Sequence, residues 1–315
     1  MGRVNEPRLV LGAMYFGTRL DDRASFALLD RFVAAGGRWI DTANCYSFWE
    51  DPSGLGGQSE EVIGRWLRAN PGADVRLSTK VGVQPTVPHG HPEHDEGLSR
   101  QAVRAGLALS LERLGVERID RYWAHPEDLR EPIDQVGVTF GELVRDGLVD
   151  EVAICNNPTW AVERARAAAQ AAGLAPFAGL QLRHSYLQPK PGVVVEGQDW
   201  RFGMVTPETV DYVARNDLDL WVYTALLLGA YDRDDRPFTP AYQHEGNAAR
   251  LQVLGEVADE VGASKGQVVL AWLAGGEVPM LPILGGSKPE QLDSALAGVR
   301  LELTADQRAR LDAAG

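Results

Sequence analysis

The sequence predicts an α/β chain of the (β/α)8, or TIM, barrel class, with parallel strands in a single domain spanning residues 1–315. Three observations predict it. Strand-like and helix-like segments alternate about eight times, which calls for parallel strands joined by right-handed crossovers. The 315 residues, 44% of them apolar, are enough for one large core. Several of the strand-like segments end in a polar, reactive side chain, and barrels of this class carry their chemistry at the C-terminal ends of the strands.

Taken in order, Leu9-Val10-Leu11-Gly12 is a short apolar strand. Asp21-Asp22 supplies a cap for a helix carrying Phe26, Leu29, Phe32 and Val33 at helical spacing, closed at Gly36-Gly37. Arg38-Trp39-Ile40-Asp41 is the next strand, and Tyr46 follows in a loop. Gln58-Ser59-Glu60-Glu61 opens a helix with Val62, Ile63, Trp66 and Leu67 as its apolar stripe and Asn70-Pro71-Gly72 as its stop. A strand from Val75 to Lys80 comes next, then an amphipathic helix from Ser99 to Leu114 closed by Gly115, then a strand from Ile119 to His125.

The second half repeats the alternation. Ile133 to Arg145 is a helix stopped by Gly147, Val149 to Asn156 a strand, and Pro158 to Ala172 an alanine-rich helix with Pro158 near its first turn. Strands follow at Gly179 to Leu182, Asp217 to Tyr223 and Pro279 to Leu284. Helices are predicted at Pro207 to Arg215, Ala248 to Val261, Lys265 to Leu273 and Pro289 to Leu296.

A net charge of -13 excludes nucleic acid and anionic membrane as partners, because both demand a basic face. No apolar run reaches membrane-spanning length, and Met1-Gly2-Arg3 does not open a leader, so a cytoplasmic protein is expected. Two cysteines, Cys45 and Cys155, are too few for a disulfide framework and are read as reduced thiols.

The chemistry collects at strand ends: Asp41, Lys80 and His125, with Tyr46 in the adjoining loop. The chain carries 31 Lys and Arg together, yet its lysines are Lys80, Lys190, Lys265 and Lys288 alone. A lysine at a strand end in so arginine-rich a chain suggests that a compact ammonium was wanted there. Tyr46 can give a proton to an oxygen, Lys80 can lower the pKa of that phenol, Asp41 can pair with the buried ammonium, and a neutral His125 can offer an N–H.

Several motifs occur in one order: Asp41-Thr42-Ala43-x-x-Tyr46, Ser59-Glu60-x-x-x-Gly64, Ser78-Thr79-Lys80, Asp120-x-Tyr122-x-x-His125, Asn156, Gln181, Tyr223 and Gly285-Gly286-Ser287-Lys288-Pro289-Glu290-Gln291. In this the chain resembles the aldo-keto reductase family over nearly its whole length. The resemblance implies reversible, nicotinamide-dependent reduction of a small aldehyde or ketone, with Asp41, Tyr46, Lys80 and His125 as the catalytic tetrad. It further implies Asn156 and Gln181 at the nicotinamide carboxamide, Tyr223 stacked on the ring, and Leu226 to Gly229 along the pyrophosphate. Gly286, Ser287, Lys288 and Gln291 stand at a strand-to-helix junction, where free N–H groups favour a phosphate. Lys288 adds a cation for a 2′-phosphate, which favours NADPH over NADH.

The chain departs from the family pattern at Cys155, where a serine is usual, at Ser294-Ala295 in place of a Glu-Asn pair, and at Thr224-Ala225-Leu226 in place of Ser-Pro-Leu. The segment from Phe48 to Gly57 is longer than usual, and such insertions beside a site often shape substrate choice. Met14, Phe48, Trp49 and Trp123 are expected to supply apolar walls.

The sequence leaves room for three other readings. His89-x-His91-x-x-His94 invites a metal, but its Pro/Gly-rich loop favours solvated histidines and no metal is expected. Tyr186-x-x-x-Lys190 has the spacing of short-chain dehydrogenases, yet Pro189 and Pro191 forbid the helix that reading needs, and no strand-linked Gly-x-Gly-x-x-Gly occurs. A cofactor-binding sensor with little turnover is the alternative from outside the enzymes.

Overall fold

In the computed structural model, which describes residues 6–197 and 202–315, eight parallel strands close into a barrel in chain order. They are β1 (Val10–Gly12), β2 (Trp39–Asp41), β3 (Arg76–Val81), β4 (Ile119–Ala124), β5 (Val149–Cys155), β6 (Gly179–Arg183), β7 (Asp219–Tyr223) and β8 (Met280–Leu284). Closure comes from β1 pairing with β8, Val10 opposite Ile283 and Leu11 opposite Leu284. The Met1–Arg3 start, considered above for a leader, lies outside the described residues.

Ten α-helices accompany the strands among the described residues: α1 (Asp22–Ala34), α2 (Gln58–Ala69), α3 (Arg100–Leu114), α4 (Ile133–Arg145), α5 (Thr159–Ala171), α6 (Pro207–Asn216), α7 (Glu245–Val261), α8 (Lys265–Ala274), α9 (Pro289–Arg300) and α10 (Ala305–Ala313). Asp21 caps α1 by accepting from the Ala24 N–H at 2.8 Å, and Ser99 caps α3 by accepting from Ala102. Gly115, at φ 70°, ends α3 in the left-handed conformation that glycine tolerates. Pro158 stands at the start of α5 as its cap residue, the helix itself beginning one residue later than predicted, at Thr159. α10 was not anticipated, although Thr304 and Gln307 form a reciprocal capping box at its start. None of the helices in the described residues is long and apolar enough to cross a membrane. Tyr186 to Lys190 is not helical, and the Tyr186 hydroxyl donates to the Leu311 carbonyl at 3.0 Å.

Two apolar layers hold the fold. The larger lies between strands and helices and includes Leu11, Ile40, Leu77 and Ile119 of the strands with Phe32, Trp66, Leu107 and Phe140 of the helices. The smaller fills the barrel itself and consists of Val10, Trp123, Ala153, Cys155 and Trp221, with Trp39, Leu281 and Ile283 packed against it. Side chains alternate between faces along a strand, so Arg121 and Trp123 of β4, and His125 just beyond it, point inward at successive heights about 7 Å apart.

At the base, the Arg121 guanidinium pairs with Glu151 and, at 2.6 Å, with Asp219. It lies 5.3, 5.6 and 5.1 Å from the ring centroids of Trp39, Trp123 and Trp221. Above it, Trp221 meets Trp39 at 5.0 Å and Trp123 at 5.1 Å between centroids. These three indoles form the floor on which the site stands.

Candidate active site

The site begins with Lys80, fully buried two residues above Ser78, which pairs with Asp41 in the β2–β3 register. That register sets Lys80 beside the end of β2. Its Nζ donates to Asp41 Oδ2 at 2.5 Å, to the Thr42 carbonyl at 2.7 Å and to the Tyr46 hydroxyl at 3.3 Å. An unpaired ammonium at such a depth would be strongly unfavourable, and the carboxylate offsets that cost. Burial by itself would lower the Lys80 pKa, but Asp41, Tyr46 and Cys155 together outweigh it and hold the ammonium above its ordinary value.

Tyr46 departs from the sequence expectation. Burial pushes its phenol above the ordinary tyrosine value, and Lys80 opposes that shift without reversing it, while Asp41 adds to it. The physical reason is burial first, and beside it the pairing of the ammonium, whose carboxylate at 2.5 Å offsets part of the field that would otherwise draw the proton off Tyr46. The phenol is therefore protonated at neutral pH.

His125 follows β4 directly. Burial, then the charge of Lys80, drives its pKa well below the usual histidine value, so the ring is neutral. Its ring centroid lies 6.1 Å from that of Tyr46, and its Nδ1 is 4.0 Å from the Cys45 sulfur. Burial, then Glu96, pushes the Cys45 thiol up, which suits packing rather than thiolate chemistry.

The turn that presents Tyr46 is braced from outside the barrel. Thr42 and Ser59 hydroxyls meet at 2.7 Å, and Ser59 donates to the Ala13 carbonyl at 2.7 Å. Asn44 donates to Glu96 at 2.8 Å, and Glu96 also accepts from the Gly82 N–H at 2.7 Å. Arg113 reaches the Asn44 carbonyl at 3.1 Å and the buried Glu60 at 3.2 Å. Glu96 and Arg113 were not singled out from the sequence, where an exposed charge and a partner of a distant carboxylate look alike. Beyond this turn, a side chain at Gly56 would sit 2.3 Å from the Cys45 carbonyl, so the insertion can return to α2 only through glycine.

Residues expected at a nicotinamide gather on the opposite side of the mouth. Gln181 is nearly buried on β6, with its Nε2 3.5 Å from Asp41 Oδ1. Asn156, at φ 53°, donates to the His125 carbonyl at 3.2 Å and accepts from the Tyr223 hydroxyl at 2.9 Å. Gly203 lies against this pair, for a Cβ there would be 2.9 Å from Asn156 Oδ1. Arg183, nearly buried at the end of β6, donates to the Gly197 carbonyl at 2.9 Å. It was missed because the predicted strand stopped one residue short, although the rule of polar strand ends would have marked it.

After β7 the chain turns sharply. Thr224, Leu227 and Leu228 have φ of 57°, 46° and 59°, a conformation costing non-glycine residues about 1–3 kcal/mol each. Leu226 and Gly229 complete this turn, and Asp232 anchors it to α8 by accepting from the Gly266 N–H at 3.0 Å. Beyond β8, Lys288 is exposed and precedes α9 with no side-chain cap; Pro289 brings no N–H and the Gln291 N–H donates to the Lys288 carbonyl at 3.1 Å, so the exposed cation is what this helix start chiefly offers an anion. Gln291 accepts from the Ser287 N–H at 2.9 Å and shapes the approach, with Gly286 alongside. These residues fit a phosphate-bearing cofactor. Ser294 is exposed and Ala295 buried, so neither offers a carboxylate to an adenine.

Of the expected walls, Trp49 is 44% exposed with its ring edge-on to Tyr46 at 6.1 Å. Phe48 packs on Trp49 at 5.0 Å and on His91 at 4.9 Å, and His91 Nδ1 meets Asp95 at 3.0 Å. Met14, half-buried, accepts at its carbonyl from the Ser47 hydroxyl. Trp123 corrects the expectation. It is fully buried in the barrel, one inward position below His125, and forms floor rather than wall. Among the described residues, no group of three or more His, Cys, Asp or Glu is arranged to hold a metal ion.

The chain is similar in sequence to several known oxidoreductases. An oxidoreductase of Bacillus subtilis (strain 168), YrpG, is 30% identical over 308 residues, covering 94% of this chain and 88% of the relative. An aryl-alcohol dehydrogenase [NADP(+)] of Phanerodontia chrysosporium is 28% identical, covering 94% and 79%. A norsolorinic acid reductase of Aspergillus flavus is 25% identical, covering 96% and 76%. The profile of the Aldo/keto reductase family matches residues 8–315, and the chain belongs to that family.

Proposed function

We propose that the protein is an NADPH-dependent enzyme that reduces an aldehyde or ketone to the alcohol, with Tyr46 as the proton donor. The observation that carries this reading is the continuous line from Asp41 through Lys80 to Tyr46, closed off by a neutral His125. The reduced nicotinamide, when bound, supplies the hydride. Tyr46 gives its proton to the carbonyl oxygen as the C–O bond becomes an alkoxide, and Lys80 faces the phenolate left behind. Asp41 holds that ammonium in place, and His125 offers an N–H to orient the carbonyl. Asn156, Gln181 and Tyr223 would hold the nicotinamide, Leu226 to Gly229 the pyrophosphate, and Gly286, Ser287, Lys288 and Gln291 the adenosine phosphate.

The exposed Lys288 and a relative whose name carries NADP(+) both support NADPH over NADH. Relatives named for aryl alcohols and norsolorinic acid, together with the Phe48 and Trp49 wall, put aromatic carbonyl compounds first among substrates. A cytoplasmic setting, which maintains NADPH and free thiols such as Cys45 and Cys155, suits this activity.

The test is a panel of aromatic and aliphatic aldehydes and ketones, each with NADPH and with NADH, followed by loss of reduced-nicotinamide absorbance. Faster oxidation of NADPH with aromatic members is the expected result. Quenching of protein fluorescence by NADPH with no oxidation on any member overturns the reading in favour of a sensor.

A further inference from the structure

We propose that Ser78 and Trp123 are positioning residues for the reduction, a buried donor line that fixes the direction of the Asp41 carboxylate and, through it, Lys80 and Tyr46. The proposal rests on the reading of Tyr46 as proton donor. The Trp123 Nε1–H donates to Ser78 Oγ at 2.7 Å, and Ser78 Oγ donates to Asp41 Oδ1 at 2.7 Å. The other carboxylate oxygen takes the Lys80 ammonium at 2.5 Å. Ser78 and Trp123 are fully buried and Asp41 is 2% exposed, so the line runs through the barrel interior.

The chemistry of the donors gives the line its direction. An indole N–H can only donate, so Ser78 must accept from Trp123 at its oxygen. Its single hydroxyl proton is then left for Asp41, and accepting one hydrogen bond strengthens the one it gives. The nearest other donor to Asp41 Oδ1 is the Gln181 amide at 3.5 Å, a longer approach from a residue wanted at the cofactor. The charged and titratable groups facing Asp41 are Lys80 of β3, Tyr46 of the turn after β2 and Cys155 of β5. With Oδ1 fixed by Ser78, Oδ2 is aimed at Lys80, and Lys80 at the Tyr46 hydroxyl.

The test compares the full-length protein with Ser78→Ala, Trp123→Phe and the double variant. It measures kcat and KM for one aromatic aldehyde across pH 5–9 at saturating NADPH, NADPH affinity by calorimetry, and melting temperature. Ser78→Ala is expected to lower kcat about 10-fold and Trp123→Phe about 3-fold, each with KM and NADPH affinity within about 2-fold of the parent. The double variant is no slower than Ser78→Ala, as residues acting in one line are not additive.

Losses that multiply in the double variant, or a change that falls on KM with kcat unmoved, overturn the proposal in favour of plain packing. Trp123→Phe keeps a buried ring but removes the pyrrole half of the indole with its N–H, so its kcat is judged against its melting temperature, and it decides the matter if Ser78→Ala does not fold. A parent that turns over beside variants indistinguishable from it refutes the donor line alone. A parent with no NADPH oxidation refutes the proposed function as well.

Discussion

Tyr46 is where two opposing influences meet. Burial keeps its proton on, and a paired ammonium 3.3 Å away makes the phenolate tolerable once the proton has left. Removing only the hydroxyl tests that assignment. Tyr46→Phe is expected to cut carbonyl reduction by about 1,000-fold, the scale of a lost general acid, while NADPH still binds; turnover near the parent rate would remove Tyr46 from the chemistry. The strand-end positions of Asp41 and Lys80 were legible in the sequence because each closes a short strand-like run between two helical segments. The net upward shift of Tyr46 was not, since it depends on how fully the fold dries the hydroxyl. Trp123 was equally illegible: β4 is buried on both faces, so its aromatic residues carry no alternation to tell barrel interior from outer layer.

At the scale of elements, the loops after β2 and β3 form one wall. The Phe48–Gly57 insertion docks on the histidine-bearing loop through Phe48 against His91, and the His89 N–H reaches the Gly54 carbonyl at 3.4 Å. Asp95 holds His91 in that position. His91→Ala deletes one ring contact of about 0.5–1.5 kcal/mol, so KM for an aromatic aldehyde is expected to rise about 2- to 10-fold with kcat and NADPH affinity unchanged. Steady-state kinetics with an unmoved KM would show that the loop does not shape the wall. The insertion was visible in the sequence as extra length, but its docking partner was not, because contacts between loops leave no periodic trace. α10 could have been read, since Thr304-x-x-Gln307 is a capping signature placed beyond the last strand.

For the molecule as a whole, buried histidines set how stability responds to acid. Burial, then Arg250, pushes His184 down to about 4, below the ordinary value near 6.5. A depressed pKa contributes stability that is complete above the unfolded value and is lost as pH falls from 6.5 toward 4, here about 3 kcal/mol. Glu60 and Glu96, raised by burial, act with the opposite sign, so the comparison must be with a variant. Urea unfolding of the parent and His184→Gln is expected to show the parent losing about 3 kcal/mol more over that interval; a constant difference would contradict it. Closure of eight strands was legible from alternation and length, because short crossovers leave few other arrangements. The tryptophan floor was not, as Trp39, Trp123 and Trp221 come from strands far apart in the chain and meet only when the barrel closes.

That floor couples warmth to performance. Trp123 is tied through Ser78 to the carboxylate above and lies against the guanidinium below, so the reactive groups have no hinge by which to slacken while the scaffold stays intact. In a heating ramp, surviving activity and circular dichroism therefore decline along a single curve, and an enzyme that went silent several degrees before its helices melted would show the two to be mechanically separate.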